Sequence, residues 1–305
     1  MVDSLVYALA SALVALLQNL PLPMVARLGR WGGSAAYYLD RRHRRVALAN
    51  LERCFGNEKS AREITALARE NFRRIGENFA AAVKTAGMDW EKLKYHVHFV
   101  DNEKLRIKNP RESRIVAIGH FGNFEVYARF TELLRPARTA TTYRGFRPPS
   151  LNRLLQRLRE KSGCLFFERR SEAAALRHAL AEGGLILGLL ADQHAGDKGL
   201  RLPFLGHECS TSAAPALLAL RYKYPLHTGI CYRVNLAQWR IEAGDEIPTF
   251  VNGVARPVAE ITREINAAFE VAVRRDPANW FWVHNRWKAP ARGRTQSEMA
   301  GADQD

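Results

Sequence analysis

The chain has 305 residues, 47% of them hydrophobic and 25% charged, and its 46 Lys and Arg against 31 Asp and Glu leave a formal net charge of +15. That apolar content can fill a sizeable core and excludes a disordered chain. The excess charge is mostly arginine and points to an anionic partner: nucleic acid, an acidic membrane face, or an acidic protein or substrate. The four cysteines (Cys54, Cys164, Cys209 and Cys231) include no Cys-x-x-Cys pair. This argues against a zinc ribbon, a thioredoxin-like motif and a disulfide framework, and for a reducing, cytoplasm-facing location.

Leu5 to Leu17 is almost wholly apolar and stops at Gln18, Asn19 and Pro21. It is shorter than the ~20 residues of a bilayer crossing. It also lacks the positive charge that precedes a secretory signal. A membrane-embedded or interfacial anchor is preferred to a buried core helix, because the basic cluster Arg41 to Arg45 follows closely. Residues 24 to 95 read as helical. Ser60 followed by Glu63 predicts a capping box that opens a helix through about Ala86.

The texture changes near Tyr95. Strands are expected at His98–Val100, Ile115–Ile118, Thr139–Thr142, Leu165–Phe167, Leu185–Leu190 and Leu226–Val234. Helices are expected near Phe124–Leu134, Ser150–Lys161, Ser171–Ala181, Thr211–Lys223 and Pro257–Arg275. Leu226–Val234 and Gln238–Glu242 predict a hairpin around Asn235. Such alternation argues for α/β layers over a largely parallel sheet. The expected organisation is a membrane-associated helix over 1–22, a helical region over 23–95, an α/β core over 96–288 and a loose tail over 289–305. No nucleic-acid-binding motif appears.

The chemistry-bearing string is Gly119-His-Phe-Gly-Asn-Phe-Glu125, directly after a buried-strand run. A helix opening near Asn123 would put Glu125 in its first turn, able to fold back toward His120. The carboxylate would then fix the imidazole tautomer and stabilise its charged form. No serine or cysteine adjoins His120, so direct general-base catalysis on an acceptor hydroxyl is the simpler assignment. Gly122 allows close backbone approach to a ligand, and N–H groups near it are expected to hold an oxyanion, unless an arginine does so. Further candidates leave strand ends: Thr142-Tyr143-Arg144 with Arg147, then Arg169, then Asp192 and Gln193. Arg153, Arg157 and Arg159 read equally well as a solvated basic face. Trp280, Trp282 and Trp287, interleaved with cations, suit a membrane interface or a core lid.

With these residues in view, the chain resembles the lysophospholipid acyltransferase superfamily, and within it the late acyltransferases of lipid A biosynthesis. The likeness rests on the string from Gly119 to Glu125, Tyr143-Arg144, Arg169, Leu190-Ala-Asp-Gln193, Pro203-Phe-Leu-Gly206 with Thr211, Trp280 to Trp282 and Arg286-Trp-Lys288; Asn50-Leu51 and Cys54-Phe55 add to it. The resemblance implies a single mixed central β-sheet flanked by helices, behind an N-terminal helical region with a membrane-anchoring helix. It implies transfer of an acyl chain from acyl carrier protein, or acyl-coenzyme A, to a hydroxyl of a membrane glycolipid at the cytoplasmic face of the inner membrane. His120 would be the base and Glu125 its partner, with Gly122, Asn123, Tyr143, Arg144, Arg169, Asp192 and Gln193 shaping the substrate pocket. Neither metal nor cofactor is expected beyond the acyl donor. Both an acidic carrier protein and a phosphorylated acceptor suit the basic surface. Phe124 stands where that group usually has tryptophan, which leaves lysophospholipids and phosphoinositol mannosides as alternative acceptors. An inactive, basic, membrane-peripheral binding protein is the remaining alternative.

Overall fold

Four helices lead the chain: α1 (Val2–Asn19), α2 (Leu22–Leu39), α3 (Arg41–Phe55) and α4 (Ala61–Ala86). The structure is a computed structural model that describes residues 2–109, 111–145 and 149–288. The expected tail over 289–305 and Arg147 lie outside the described residues. The capping box at α4 is formed: Ser60 accepts from the Glu63 N–H and the Glu63 carboxylate accepts from the Ser60 N–H.

The packing of α2 on α4 follows from three glycines. A Cβ on Gly29 would lie 2.5 Å from the Gly76 carbonyl oxygen, and one on Gly33 would lie 2.1 Å from that of Phe72. Side chains at this seam would force the two helices apart. Beside it, the fully buried Glu77 carboxylate is held by Arg30 at 3.3 Å and by Arg233 at 2.8 Å. Glu77 also accepts from the Ala237 N–H at 2.9 Å, which locks α4 onto a hairpin of the sheet. The buried charge of Glu77 survives there because it is paired and hydrogen-bonded.

After the short helix α5 (Trp90–Leu93) the chain alternates: β1 (Val97–Val100), β2 (Arg114–Ile118), β3 (Arg138–Tyr143), α6 (Pro149–Glu160), β4 (Leu165–Glu168), α7 (Ala173–Glu182) and β5 (Leu185–Leu190). A small hairpin follows, β6 (Leu200–Phe204) with β7 (His207–Thr211), then α8 (Ala214–Tyr222), β8 (Leu226–Asn235) and β9 (Gln238–Ala243). The two-residue strands β10 (Phe250–Val251) and β11 (Val254–Ala255) precede α9 (Val258–Arg275).

Seven strands form one mixed sheet in the order β1-β9-β8-β2-β5-β3-β4. Strands β8, β2, β5, β3 and β4 run parallel to one another; β9 is antiparallel to β8, as the hairpin around Asn235 predicts. Strand β2 is buried on both faces, as a central parallel strand must be. Ile115 and Ala117 join the core that also holds Phe121, Phe204 and Phe269. Val116 and Ile118 face the opposite way, toward Val126 and Tyr127.

Two expectations are corrected and a third is narrowed. Phe124–Glu132 is a 3-10 helix rather than an α-helix. Tertiary anchors fix its winding: Tyr127 donates to the Gly229 carbonyl at 3.0 Å, and Arg129 to those of Thr85 and Met88 at 3.2 and 2.9 Å. Thr211 does not open a helix. It pairs with Leu200 in the small hairpin, and α8 begins only at Ala214, where Pro215 sets the first turn. Of the two readings of the cluster Trp280, Trp282 and Trp287, the core one holds: all three rings are buried and pack on one another, and Trp280 and Trp287 also pack on Phe204. Among the described residues, no helix is long and apolar enough to cross a membrane.

Candidate active site

The parallel order of β2, β5, β3 and β4 brings four loops to one sheet edge, the carboxyl edge, where α/β proteins keep their ligand crevice. His120 leaves β2, Asp192 leaves β5, Arg144 leaves β3 and Arg169 leaves β4. The sequence therefore placed these positions on the correct edge. The partnership among them is different from the expected one.

The His120 Nδ1 faces Asp192 Oδ1 at 2.8 Å, and the His120 backbone N–H donates to Asp192 Oδ2 at 2.9 Å. Trp280 Nε1–H donates to the same Oδ2 at 2.8 Å. Asp192 is 1% exposed, so its charge is stable only because of these partners. Burial raises its carboxyl, but the imidazole's charge and the three hydrogen bonds outweigh that and hold it at about 2. An ionised Asp192 fixes the imidazole proton on Nδ1 and leaves the Nε2 lone pair free. Phe124 and Phe281 flank the ring, with centroids 4.8 and 5.8 Å away.

Glu125 does not fold back onto His120. It sits in the first turn of the 3-10 helix, as expected, but its carboxylate meets Arg159: Oε1 to Nη2 at 2.7 Å and Oε2 to Nε at 3.3 Å. The guanidinium lies over the Phe166 and Tyr143 rings at 4.8 and 5.6 Å. Arg159 is thus not part of a solvated face; its side chain keeps only 14% of its exposure. The sequence missed it because the pairing spans 34 residues and no periodicity reports that.

Gly122 is also reassigned. Its φ is +51° and its N–H donates to the Asn279 carbonyl at 3.0 Å, so that N–H is not available to an oxyanion. A Cβ there would lie 2.7 Å from the Cys231 carbonyl oxygen. The glycine lets the turn after β2 press against β8. Asn123 is buried beside it and donates to Thr85 Oγ1 at 3.5 Å.

His120 and Glu125 both line a cavity of about 770 Å³, within the ordinary range for ligand sites. Val116, Ile118, Tyr127, Leu134 and Ile186 make much of its wall apolar. Gly188 and Gly229 leave it open; a methyl on either would press on Ile118 at 3.3 or 3.1 Å. Tyr143, Arg144, Arg169 and Gln193 add polar groups to the same wall, and Arg144 and Arg169 are exposed. Cys164 is also in the wall, but burial pushes its thiol up to about 11, so it is no nucleophile near neutral pH. Among the described residues, no hydroxyl or thiol bonds to His120.

The loop over 277–288 holds this arrangement from below. Asn50 of α3 donates to the carbonyls of Trp282 and His284 at 2.9 and 2.8 Å, and Asn71 of α4 to those of Ala278 and Trp280 at 2.9 and 2.5 Å. Arg286, fully buried, donates to the Gln193 and Ser210 carbonyls and to Thr211 Oγ1. The residue after Asp192 is thereby fixed. Trp280, His284 and Arg286 acquire these positions only through long-range contacts, which the sequence does not display.

Residues 1–289 match the family described as bacterial lipid A biosynthesis acyltransferase. A lipid A biosynthesis palmitoleoyltransferase of Escherichia coli (strain K12) is 27% identical over 286 residues, covering 88% of this chain and 87% of its own. A lipid A biosynthesis acyltransferase of Shigella flexneri is similar to the same extent.

Proposed function

Because this chain belongs to the bacterial lipid A biosynthesis acyltransferase family, and is therefore an acyltransferase, we propose that it acylates a hydroxyl of a lipid A precursor with His120 as general base. The observation that carries this reading is the His120–Asp192 pair set in the wall of an apolar cavity. Nε2 takes the proton of the acceptor hydroxyl as its oxygen attacks the carbonyl carbon of an acyl thioester. The C–S bond then breaks, and the imidazolium gives the proton to the departing sulfur. Asp192 stabilises the imidazolium and keeps its tautomer. The cavity takes the acyl chain. Arg144 and Arg169 meet anionic groups of the donor or acceptor. Glu125 and Arg159 brace the wall between the 3-10 helix and α6.

The donor is the thioester of acyl carrier protein, an acidic partner that suits a +15 chain, or alternatively of coenzyme A. No further cofactor is needed. The enzyme works on the cytoplasmic face of the inner membrane. Helix α1 packs on α4 and α6, and residues of both helices line the cavity. The opposite side of α1 exposes Leu5, Leu9, Leu13 and Leu16, and α2 exposes Met24, Leu28, Trp31 and Leu39. With Arg41 to Arg45 beside them, these ridges lie in the interface of an anionic leaflet and put the cavity next to its lipid.

The test is purified protein with acyl carrier protein thioester and a lipid A precursor, read by mass spectrometry. The expected product gains one acyl group, and His120→Ala abolishes it. Acyl transfer confined to a lysophospholipid or a phosphoinositol mannoside would overturn the acceptor. Wild-type rates in His120→Ala would overturn the base.

A further inference from the structure

We propose that His284 is the oxyanion donor of this site, its Nδ1–H binding the thioester carbonyl oxygen as negative charge develops there. This rests on the acyl-transfer reading given above. His284 lines the same cavity as His120. It belongs to the loop that also bears Trp280, bonded to Asp192, and Phe281, stacked near His120.

The tautomer follows from the backbone. The His194 N–H donates to His284 Nε2 at 3.0 Å, so the proton of a neutral ring resides on Nδ1. No described residue accepts a hydrogen bond from that Nδ1–H. The loop itself is fixed: the His284 carbonyl accepts from Asn50, and its N–H donates to the Phe281 carbonyl at 3.3 Å. Burial, with Asp192 opposing it, brings the imidazole down to about 4, so the ring stays neutral near pH 7. A fixed neutral donor in a desolvated site suits a developing oxyanion and does not compete with His120 for protons.

Three other donor groups near the string from Gly119 to Glu125 already have partners. The Gly122 N–H goes to Asn279, the Arg159 guanidinium is paired with Glu125, and Trp280 Nε1–H goes to Asp192. In the reaction the acceptor O–C bond forms, the C–S bond breaks, and the proton moves from hydroxyl to His120 to sulfur. His284 donates a hydrogen bond and gives up no proton.

The test compares His284→Ala and His284→Asn in full-length protein, using acyl carrier protein thioester and lipid A precursor. The Asn amide nitrogen falls near the position of the ring Nδ1. In His284→Ala, kcat should fall about 10²- to 10³-fold with KM for both substrates little changed. His284→Asn should recover about tenfold of that loss, with the same thermal midpoint as His284→Ala. An unchanged kcat, a loss confined to KM, or no recovery in His284→Asn overturns the assignment. A second readout needs no turnover: nitrogen NMR of histidine-labelled protein should find His284 neutral and protonated on Nδ1 from about pH 5 to 8. A proton on Nε2 overturns it. Wild-type protein that transfers no acyl group removes the acyl-transfer reading and this inference together. Active wild type with an unimpaired His284→Ala removes this inference alone.

Discussion

Asp192 Oδ2 accepts from two fixed donors, the His120 N–H and Trp280 Nε1–H, while Oδ1 alone meets the imidazole. This asymmetry predicts the effect of Asp192→Asn. The two donors keep the amide oxygen where Oδ2 was, so the NH₂ faces His120 Nδ1. The imidazole must then carry its proton on Nε2, where it cannot act as a base. A loss of about 10⁴ in kcat is expected, with little change in KM; near-normal turnover would remove Asp192 from the mechanism. Acid stability depends on the same groups. Asp192 is held near 2, below its ordinary 3.8, so it contributes stability above about pH 4 that is lost as pH falls through 2. His284 titrates near 4 instead of 6.5: between these values the unfolded chain takes a proton that the folded one refuses. Stability should therefore fall from about pH 6.5 toward 4, before the carboxylates titrate. His284→Asn should flatten that slope in urea melts taken across this range, and an unchanged slope would place its cause elsewhere. The Glu125–Arg159 pair behaves differently, since both groups are largely shielded. Arg159→Met alone strands a carboxylate and should cost ~1–3 kcal/mol. Adding Glu125→Gln should return part of that, which a double-mutant cycle on denaturant midpoints measures.

At the level of elements, the seam between α2 and α4 is the least forgiving contact. Gly33→Leu must place a side chain where the Phe72 carbonyl oxygen already sits 2.1 Å from the Cβ position. The helices must separate, which should destabilise the protein by ~1–3 kcal/mol or more and lower the thermal midpoint. An unshifted midpoint would mean that the seam is not close-packed. The elements themselves were largely legible. Strand runs such as Ile115–Ile118 and Leu185–Leu190 are too short and too apolar to be surface helices, and Ser60 with Glu63 marks a helix start by local chemistry alone. Asn235 marked the β8–β9 turn. The β6–β7 hairpin was not legible, because Pro203 reads as a break and its turn depends on positive φ at Leu205 and Gly206. In the site, position on the sheet edge was legible and pairing was not. His120 and Glu125 are close in sequence, whereas Asp192 lies 72 residues beyond His120 and reaches it only because β5 pairs with β2. Spacing reports neighbours along a chain; it does not report which strands lie side by side.

Across the whole molecule, two apolar ridges and an arginine cluster share one end of the chain, and their contributions to membrane binding are separable. On α1, Leu9 and Leu13 are 64% and 56% exposed, so replacing both with serine removes little core packing. Each leucine contributes ~1.5–3 kcal/mol when fully transferred from water. Partial immersion of the pair therefore predicts a loss of about 10- to 100-fold in affinity for vesicles containing anionic lipid. The arginine contribution, ~1 kcal/mol per side chain near an acidic surface, is screened by salt. Raising salt toward 1 M should weaken wild type and the Leu9→Ser/Leu13→Ser variant by the same factor. Replacing Arg41 and Arg45, two of the four arginines of the cluster, with glutamine should instead remove about half of that cluster's salt dependence and leave the apolar part intact. With detergent-dispersed acceptor, all three proteins should turn over alike, because none of these side chains reaches the cavity. Cosedimentation that is unchanged in the leucine variant would move the membrane contact away from α1. A parallel fall in detergent turnover would mean that the helix shapes the cavity rather than seating it on lipid.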